Sequence, residues 1–375
     1  MIDFKSSPTI EIVNKIHYLK ERGEKIISLA VGDPDLPTPR GIINAAVESM
    51  NNEMTHYAPS AGLENFRSSA CLKARRKNRI YAKKENVIFI SAKHSIYSTF
   101  LSMKGRRNEV LIPDPGYFYQ EPALLAGMKP VYYKHDIDFN IDVEDIRHKI
   151  NPKTAAIVIN SPSNPTGKIA DTDQLKSIFE ISERNGIYII SDEAYEDVTY
   201  EKNSVSIGSV EKNPYYVISI FSLSKSFSMT GWRAGYTIAN EQMIRRISKV
   251  MENTFTSYPP FIQEASAFAL RNGENYIMEM KEIMLKRRNF VLETLEDAPS
   301  LEMNKIEGTF YAFPKLKGIQ NSESFARELL DKKMVAVLPG SVFGNGGKKR
   351  IRISFSVSLN DLSTGLDNLK KFMGK

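Results

Sequence analysis

Seven short apolar runs dominate the middle of the chain and constrain its fold more than any other feature. They are VIFI (87–90), VLI (110–112), PVYY (130–133), AAIVI (155–159), IYIIS (187–191), VISIF (217–221) and GYTIA (235–239). Each is rich in β-branched residues, and most lack the polar alternation of a half-exposed strand. Runs of this kind are strands buried on both faces. Helical patterns lie between several of them. DTDQLKSIFEISERNG (171–186) opens on acidic residues and ends on Gly186, a helix stop. Strands alternating with helices imply an α/β domain around a mainly parallel, seven-stranded sheet with flanking helices.

After about residue 260 the pattern changes. A long helix is expected through 276–296, strands at TFYAFPKL (309–316) and KRIRISFS (349–356), and a closing helix over 359–373. Together with the helical EIVNKIHYLKERG (11–23), these describe a smaller, discontinuous α+β domain. The boundaries are 41–275 for the large domain, and 1–40 with 276–375 for the small one. A length of 375 residues accommodates two domains.

Composition removes several function classes. No stretch has the length of a membrane span and no apolar signal core precedes the first helix, so the chain reads as cytoplasmic. The single cysteine, Cys71, excludes an intrachain disulfide and a Cys-rich metal site, and the five histidines show no metal spacing. The formal charge of +7 fits nucleic acid or small anionic ligands. The densest basic run, KARRKNRIYAKK (73–84), lacks the aromatic interleaving of a base-stacking surface and reads as a solvated helix end, so no nucleic-acid partner is expected.

Ligands of parallel α/β sheets bind at the carboxyl ends of the strands. NSPSNPTGK (160–168) presents Asn164 there, DEAYEDVTY (192–200) presents Asp192 and Tyr195, and SLSK presents Ser222, Ser224 and Lys225. After the first run, Ser91, Ala92 and Lys93 open a helix, and Arg233 follows eight residues after Lys225. An amine, a carboxylate, an amide, a phenol, hydroxyls, an arginine and a helix N-terminus fit pyridoxal phosphate. Lysine condenses with its aldehyde. A carboxylate keeps the pyridine nitrogen protonated. The amide and phenol bond the ring oxygen. The hydroxyls, the arginine and the helix-start amides take the phosphate.

SNPTGK, SDEAYE and SLSKSFSMTGWRAGY resemble the signatures of class I/II aminotransferases, the fold-type-I pyridoxal phosphate enzymes. The resemblance runs from LAVGDPDLPTP (29–39) to IRISFS (351–356) and is nearest to the bacterial and archaeal aspartate aminotransferase subgroup. It implies that Lys225 is the Schiff-base lysine and proton shuttle, Asp192 the pyridinium partner, and Asn164 and Tyr195 the contacts of the ring hydroxyl. Ser222, Ser224, Arg233 and the amides of Ala92 and Lys93 would hold the phosphate. Tyr117 in DPGYFYQ would stack on the ring, and Tyr57 in HYAPSAGLENFR would reach the phosphate in a neighbouring subunit of a homodimer. Arg352 would fork the substrate α-carboxylate, Gly32 would approach it with its backbone, and Asn164 would lie beside the substrate. Two positions depart from the family pattern: Ser91–Ala92 stands where a glycine-rich turn is frequent, and Tyr117 where tryptophan or phenylalanine is common.

The resemblance implies a ping-pong exchange between an amino acid and a 2-oxo acid. A lysine at the position of Lys93 favours acidic side chains, hence aspartate with 2-oxoglutarate. The alternatives are aromatic, alanine or diaminopimelate specificity, or a carbon–sulfur β-lyase on the same cofactor.

Overall fold

The computed structural model describes residues 8–103, 105–211 and 215–374. All seven apolar runs are strands of one sheet: β1 (Val87–Phe89), β2 (Glu109–Asp114), β3 (Lys129–Lys134), β4 (Thr154–Asn160), β5 (Tyr188–Asp192), β6 (Val217–Ser222) and β7 (Gly235–Ile238). Their spatial order is β1-β7-β6-β5-β4-β2-β3. Neighbours from β6 through β3 are parallel, whereas β7 runs antiparallel to both β1 and β6. The reversal has a local cause: the connection from β6 to β7, residues 223–234, holds the single helical turn Leu223–Ser226 and no crossover helix to bring the chain back.

Double-sided burial explains the apolar runs. Successive strand residues point to opposite faces. Val110 and Ile112 enter one core with Val158, Ile190 and Ile220, while Leu111, Ile157, Ile159 and Ile189 enter the core on the other face. Each such side chain contributes about 1.5–3 kcal/mol on burial, so a polar residue in these strands is expensive except at their ends.

The helix expected at 171–186 spans Thr172–Asn185, with Asp171 and Gln174 forming a capping box. Gly186 closes it at φ +56°, a left-handed geometry that glycine adopts without strain. The 276–296 pattern forms a helix over Glu274–Glu296, and the last one spans Leu359–Phe372. The N-terminal helix is Pro8–Glu21. A further core gathers Leu29, Met284, Val291, Phe310, Ile353 and Leu366 from both ends of the chain, and Ile27–Ser28 pairs in parallel with Val335–Ala336.

Two expectations need correction. TFYAFPKL is not one strand: Tyr311–Ala312 pairs with Ile351–Ser354, and Lys315–Leu316 pairs with Leu301–Glu302. The intervening Pro314 has no N–H to continue a ladder. Nor is the basic run merely a solvated helix end. The helix Glu64–Lys73 widens into a π-turn over Ala74–Asn78, and there Lys73 and Lys77 turn inward onto Glu196 and Asp197. Among the described residues, no helix is long and apolar enough to cross a membrane, and no group of His, Cys, Asp and Glu could hold a metal ion.

Candidate active site

β4, β5 and β6 end at Asn160, Asp192 and Ser222, and the antiparallel β7 begins at the same edge of the sheet. The loops leaving these ends and the start of the helix Ala92–Ser102 enclose a cavity of about 250 Å³. Twelve of the thirteen residues singled out from the sequence line it: Gly32, Ala92, Lys93, Tyr117, Asn164, Asp192, Tyr195, Ser222, Ser224, Lys225, Arg233 and Arg352. Tyr57 is not among them; its side chain is 88 % exposed on the outer surface. Arg350 is also outside, bonded to the Phe313 carbonyl and lying over the Phe139 ring.

Lys225 sits in a single helical turn, Leu223–Ser226. The Ser222 hydroxyl, at the N-cap, accepts from the Ser224 N–H at 3.2 Å. The Lys225 ammonium donates to the Gly32 carbonyl at 2.5 Å. Its pKa is lowered to about 8, chiefly because burial strips water from the ammonium; Asp33 opposes this, and the charges of Arg352 and Arg233 reinforce it. Arg233 adopts φ +57°, a left-handed conformation costing a non-glycine residue roughly 1–2 kcal/mol. Its guanidinium donates to the Thr230 carbonyl of its own turn at 2.7 Å.

Asp192 is buried at the end of β5 and lines the same cavity. Burial raises its carboxyl above the usual range, opposed by hydrogen bonds from the Tyr119 hydroxyl at 2.8 Å and the Ala194 N–H at 3.2 Å. Asn160 ties this strand end to the next loop. Its amide donates to the Asp192 carbonyl at 3.0 Å, and its oxygen accepts from the Asn164 N–H at 2.8 Å. Asn164 Oδ1 then accepts from Arg352 at 3.0 Å, and Arg352 also donates to the Ala30 carbonyl at 2.6 Å. The Arg352 guanidinium lies 4.1 Å from the centre of the Tyr311 ring, and the Tyr311 and Tyr195 hydroxyls are 2.8 Å apart. A Cβ on Gly32 would overlap the Tyr311 hydroxyl, so glycine is required there by space alone.

Tyr119, Asn160 and Tyr311 were not singled out from the sequence. Tyr119 stands two residues from Tyr117 in the same loop, Asn160 is the polar end of an apolar run, and Tyr311 lay inside an expected strand.

The cavity is electrostatically divided. Lys225, Arg233 and Arg352 face it, and among the described residues none of the three is ion-paired. The Ser91 side chain does not cap the 92–102 helix, so the N–H groups of its first turn have no intrahelical acceptor. Arg352 Nε is buried without a partner. These donors call for anionic groups at two places, while Asp192 calls for a proton-bearing base at a third. Pyridoxal phosphate with an amino-acid carboxylate supplies all three, so the residues present fit this cofactor.

The fold and the donor set are those of a fold-type-I pyridoxal phosphate enzyme. The chain belongs to the class I and II aminotransferase family, whose model matches residues 24–369, and it is therefore a pyridoxal-phosphate-dependent transaminase. Aspartate aminotransferase of Bacillus subtilis is 37 % identical, over 98 % of this chain and 96 % of the relative. The structure of Thermus thermophilus aspartate aminotransferase with maleate superposes with a TM-score of 0.93 at 29 % identity, covering 98 % of this chain and 97 % of the other. An aromatic aminotransferase from Pyrococcus horikoshii gives a TM-score of 0.89 at 31 % identity, covering 96 % and 98 %.

Proposed function

We propose that the enzyme exchanges the amino group of aspartate with 2-oxoglutarate by a ping-pong mechanism, in a homodimer. The observation that carries this reading is that Arg352 and Lys93 both line the cavity, two cations for the two carboxylates of a dicarboxylate. The buried Arg352 has a free Nε for an α-carboxylate, and Lys93 is exposed, with no carboxylate partner among the described residues. The names of the Bacillus and Thermus relatives support aspartate, and the dicarboxylate maleate in the latter's structure supports a dicarboxylate substrate.

Pyridoxal phosphate, when bound, supplies an electron sink for the pair left on the substrate Cα. The chain's residues do the rest. Lys225 Nζ would hold the cofactor through its aldehyde carbon and, as a free amine, would accept and return the proton of the substrate Cα. A pKa near 8 keeps part of it neutral at pH 7, and such acid–base help is worth about 10²–10⁴-fold. Asp192 would hold the proton on the ring nitrogen, and Asn164 and Tyr195 would bond the ring oxygen. Tyr117 would pack against the ring. Ser222, Ser224, Arg233 and the Ala92 and Lys93 amides would hold the phosphate, joined by Tyr57 of a second copy. The lobe formed by 1–40 and 276–375 brings Gly32 and Arg352 to the 41–275 lobe, so substrate lies between two bodies.

A second reading, an aromatic substrate, draws on the apolar wall formed by Val13, Val31, Ile96 and Phe118 and on the Pyrococcus relative. Visible absorbance of the holoenzyme separates the two. Aspartate alone should bleach the band and release one equivalent of oxaloacetate. Lys93→Ala should cut kcat/KM for aspartate roughly 10–150-fold relative to alanine, the worth of a charge-assisted hydrogen bond of about 1.5–3 kcal/mol. A band indifferent to aspartate but bleached by tyrosine would replace the first reading by the second. Pyruvate and ammonia from a sulfur amino acid would make it a lyase.

A further inference from the structure

Behind Lys225, on the side of its turn away from the cavity just described, lies a polar interior that the mechanism does not use. The Ser226 hydroxyl donates to Asp197 Oδ2 at 2.5 Å, and both residues are buried. The other oxygen of Asp197 meets the Lys77 ammonium, which comes from the π-turn. Alongside runs a second buried pair, Lys73 with Glu196, joined by Asn78. The two acids belong to the loop after β5, which carries Asp192 and Tyr195 on its other side. The serine belongs to the turn after β6, which carries Lys225.

That placement matters because the loop after β5 is tied down by its backbone, with Glu193 N–H on the Ile220 carbonyl and Thr309 N–H on the Val198 carbonyl, while the Lys225 turn is not. The Lys225 turn is four residues long, far below the length at which a helix is stable by itself. Its backbone ties to the surroundings are few: Leu223 N–H to the Ala234 carbonyl, and Phe227 and Met229 N–H back into the turn. Ser226 to Asp197 is a side-chain bond from this turn to the Asp192 loop, made between two buried residues at the wall of a cavity of about 410 Å³, and a hydrogen bond to a carboxylate is stronger than one between neutral groups.

We propose that Asp197 and Ser226 are positioning residues, a clasp that fixes the Lys225 turn against the loop bearing Asp192 and Tyr195. Neither touches substrate or cofactor. They act by holding the Lys225 amine in register with the Asp192 carboxylate, and Lys77 contacts the second oxygen of Asp197. The inference rests on the reading of Lys225 as the residue that bonds the cofactor.

The test is a double-mutant cycle on the holoenzyme with Ser226→Ala and Asp197→Asn. Displacement by a fraction of the bond length should lower kcat by about tenfold or more with KM nearly unchanged, because misplacements near 1 Å cost up to about 10²-fold. The double variant should fall no further than the worse single one, since both remove one interaction. Each variant should also shift the pH midpoint of the cofactor's visible band, and slow the capture of pyridoxal phosphate on Lys225 when the cofactor-free protein is reloaded, trapped with borohydride and read by peptide mass. Additive losses, or lower thermal stability with kcat, band midpoint and capture rate unmoved, overturn the clasp. If Asp197→Asn does not fold, Ser226→Ala decides alone by the same three readouts. Lys225→Ala is run beside them: borohydride-stable pyridoxal phosphate on another lysine would overturn the Lys225 reading itself and not the clasp.

Discussion

Tyr119→Phe removes one oxygen and tests how Asp192 is kept charged. Asp192 is buried, and burial favours the protonated acid. Against that stand two hydrogen bonds, the shorter from Tyr119 at 2.8 Å. A bond to a charged group is worth about 1.5–3 kcal/mol, and a pH unit corresponds to about 1.36 kcal/mol. The acid limb of kcat should therefore move up by about one to two pH units, with the alkaline limb unchanged. Stability follows with a definite sign. A carboxyl that binds its proton more tightly folded than unfolded weighs against folding above its folded midpoint, and this burden vanishes below the unfolded value of about 3.9. Cofactor-free Tyr119→Phe should lose about 1.5–3 kcal/mol near neutrality, and the difference from the parent should narrow on acidification. The assays are a pH profile of kcat and denaturant unfolding at several pH values. An acid limb that stays in place, with an equal stability loss at every pH, would refute the argument and leave Tyr119 as a packing residue.

Two further outcomes are expected. In cofactor-free protein, the rate at which Lys225 captures pyridoxal phosphate should climb as pH rises through about 8 and then level, whereas an ordinary lysine continues upward toward about 10.4; borohydride trapping against pH reads this. Gly32→Ala should destabilise by about 1–3 kcal/mol through overpacking and depress activity, because the new methyl meets the Tyr311 hydroxyl, and Tyr311→Phe in the same chain should restore part of the stability in thermal unfolding.

The seven strands were readable because burial on both faces leaves a strand little choice but β-branched and aliphatic residues, as in Ala155–Ile159. Strand direction was not readable: β6 and β7 look alike in composition, and what reverses β7 is the length of the turn between them. The two-residue strands, Ile27–Ser28 and Val335–Ala336, are too short to carry a period. Among site residues, those at strand ends stood out because a polar group after an apolar run is conspicuous. Tyr119 and Tyr311 did not, since a buried tyrosine has the pattern of a core residue until its hydroxyl partner is known. Lys73 and Lys77 misled for the opposite reason: a run of basic residues looks solvated, and their partners Glu196 and Asp197 lie more than a hundred positions away.

The site is also closed at two ranges along the chain. Lys225 and Arg233 are eight residues apart on a single hairpin, so their relation is set by local chain closure. The bonds that bring in Arg352 span 188 residues to Asn164 and 322 to Ala30. Contacts between distant parts of a chain carry the larger closure entropy. The relation of Lys225 to Arg233 is thus the one that closes at low entropic cost, and that of Arg352 to the rest of the site the costly one.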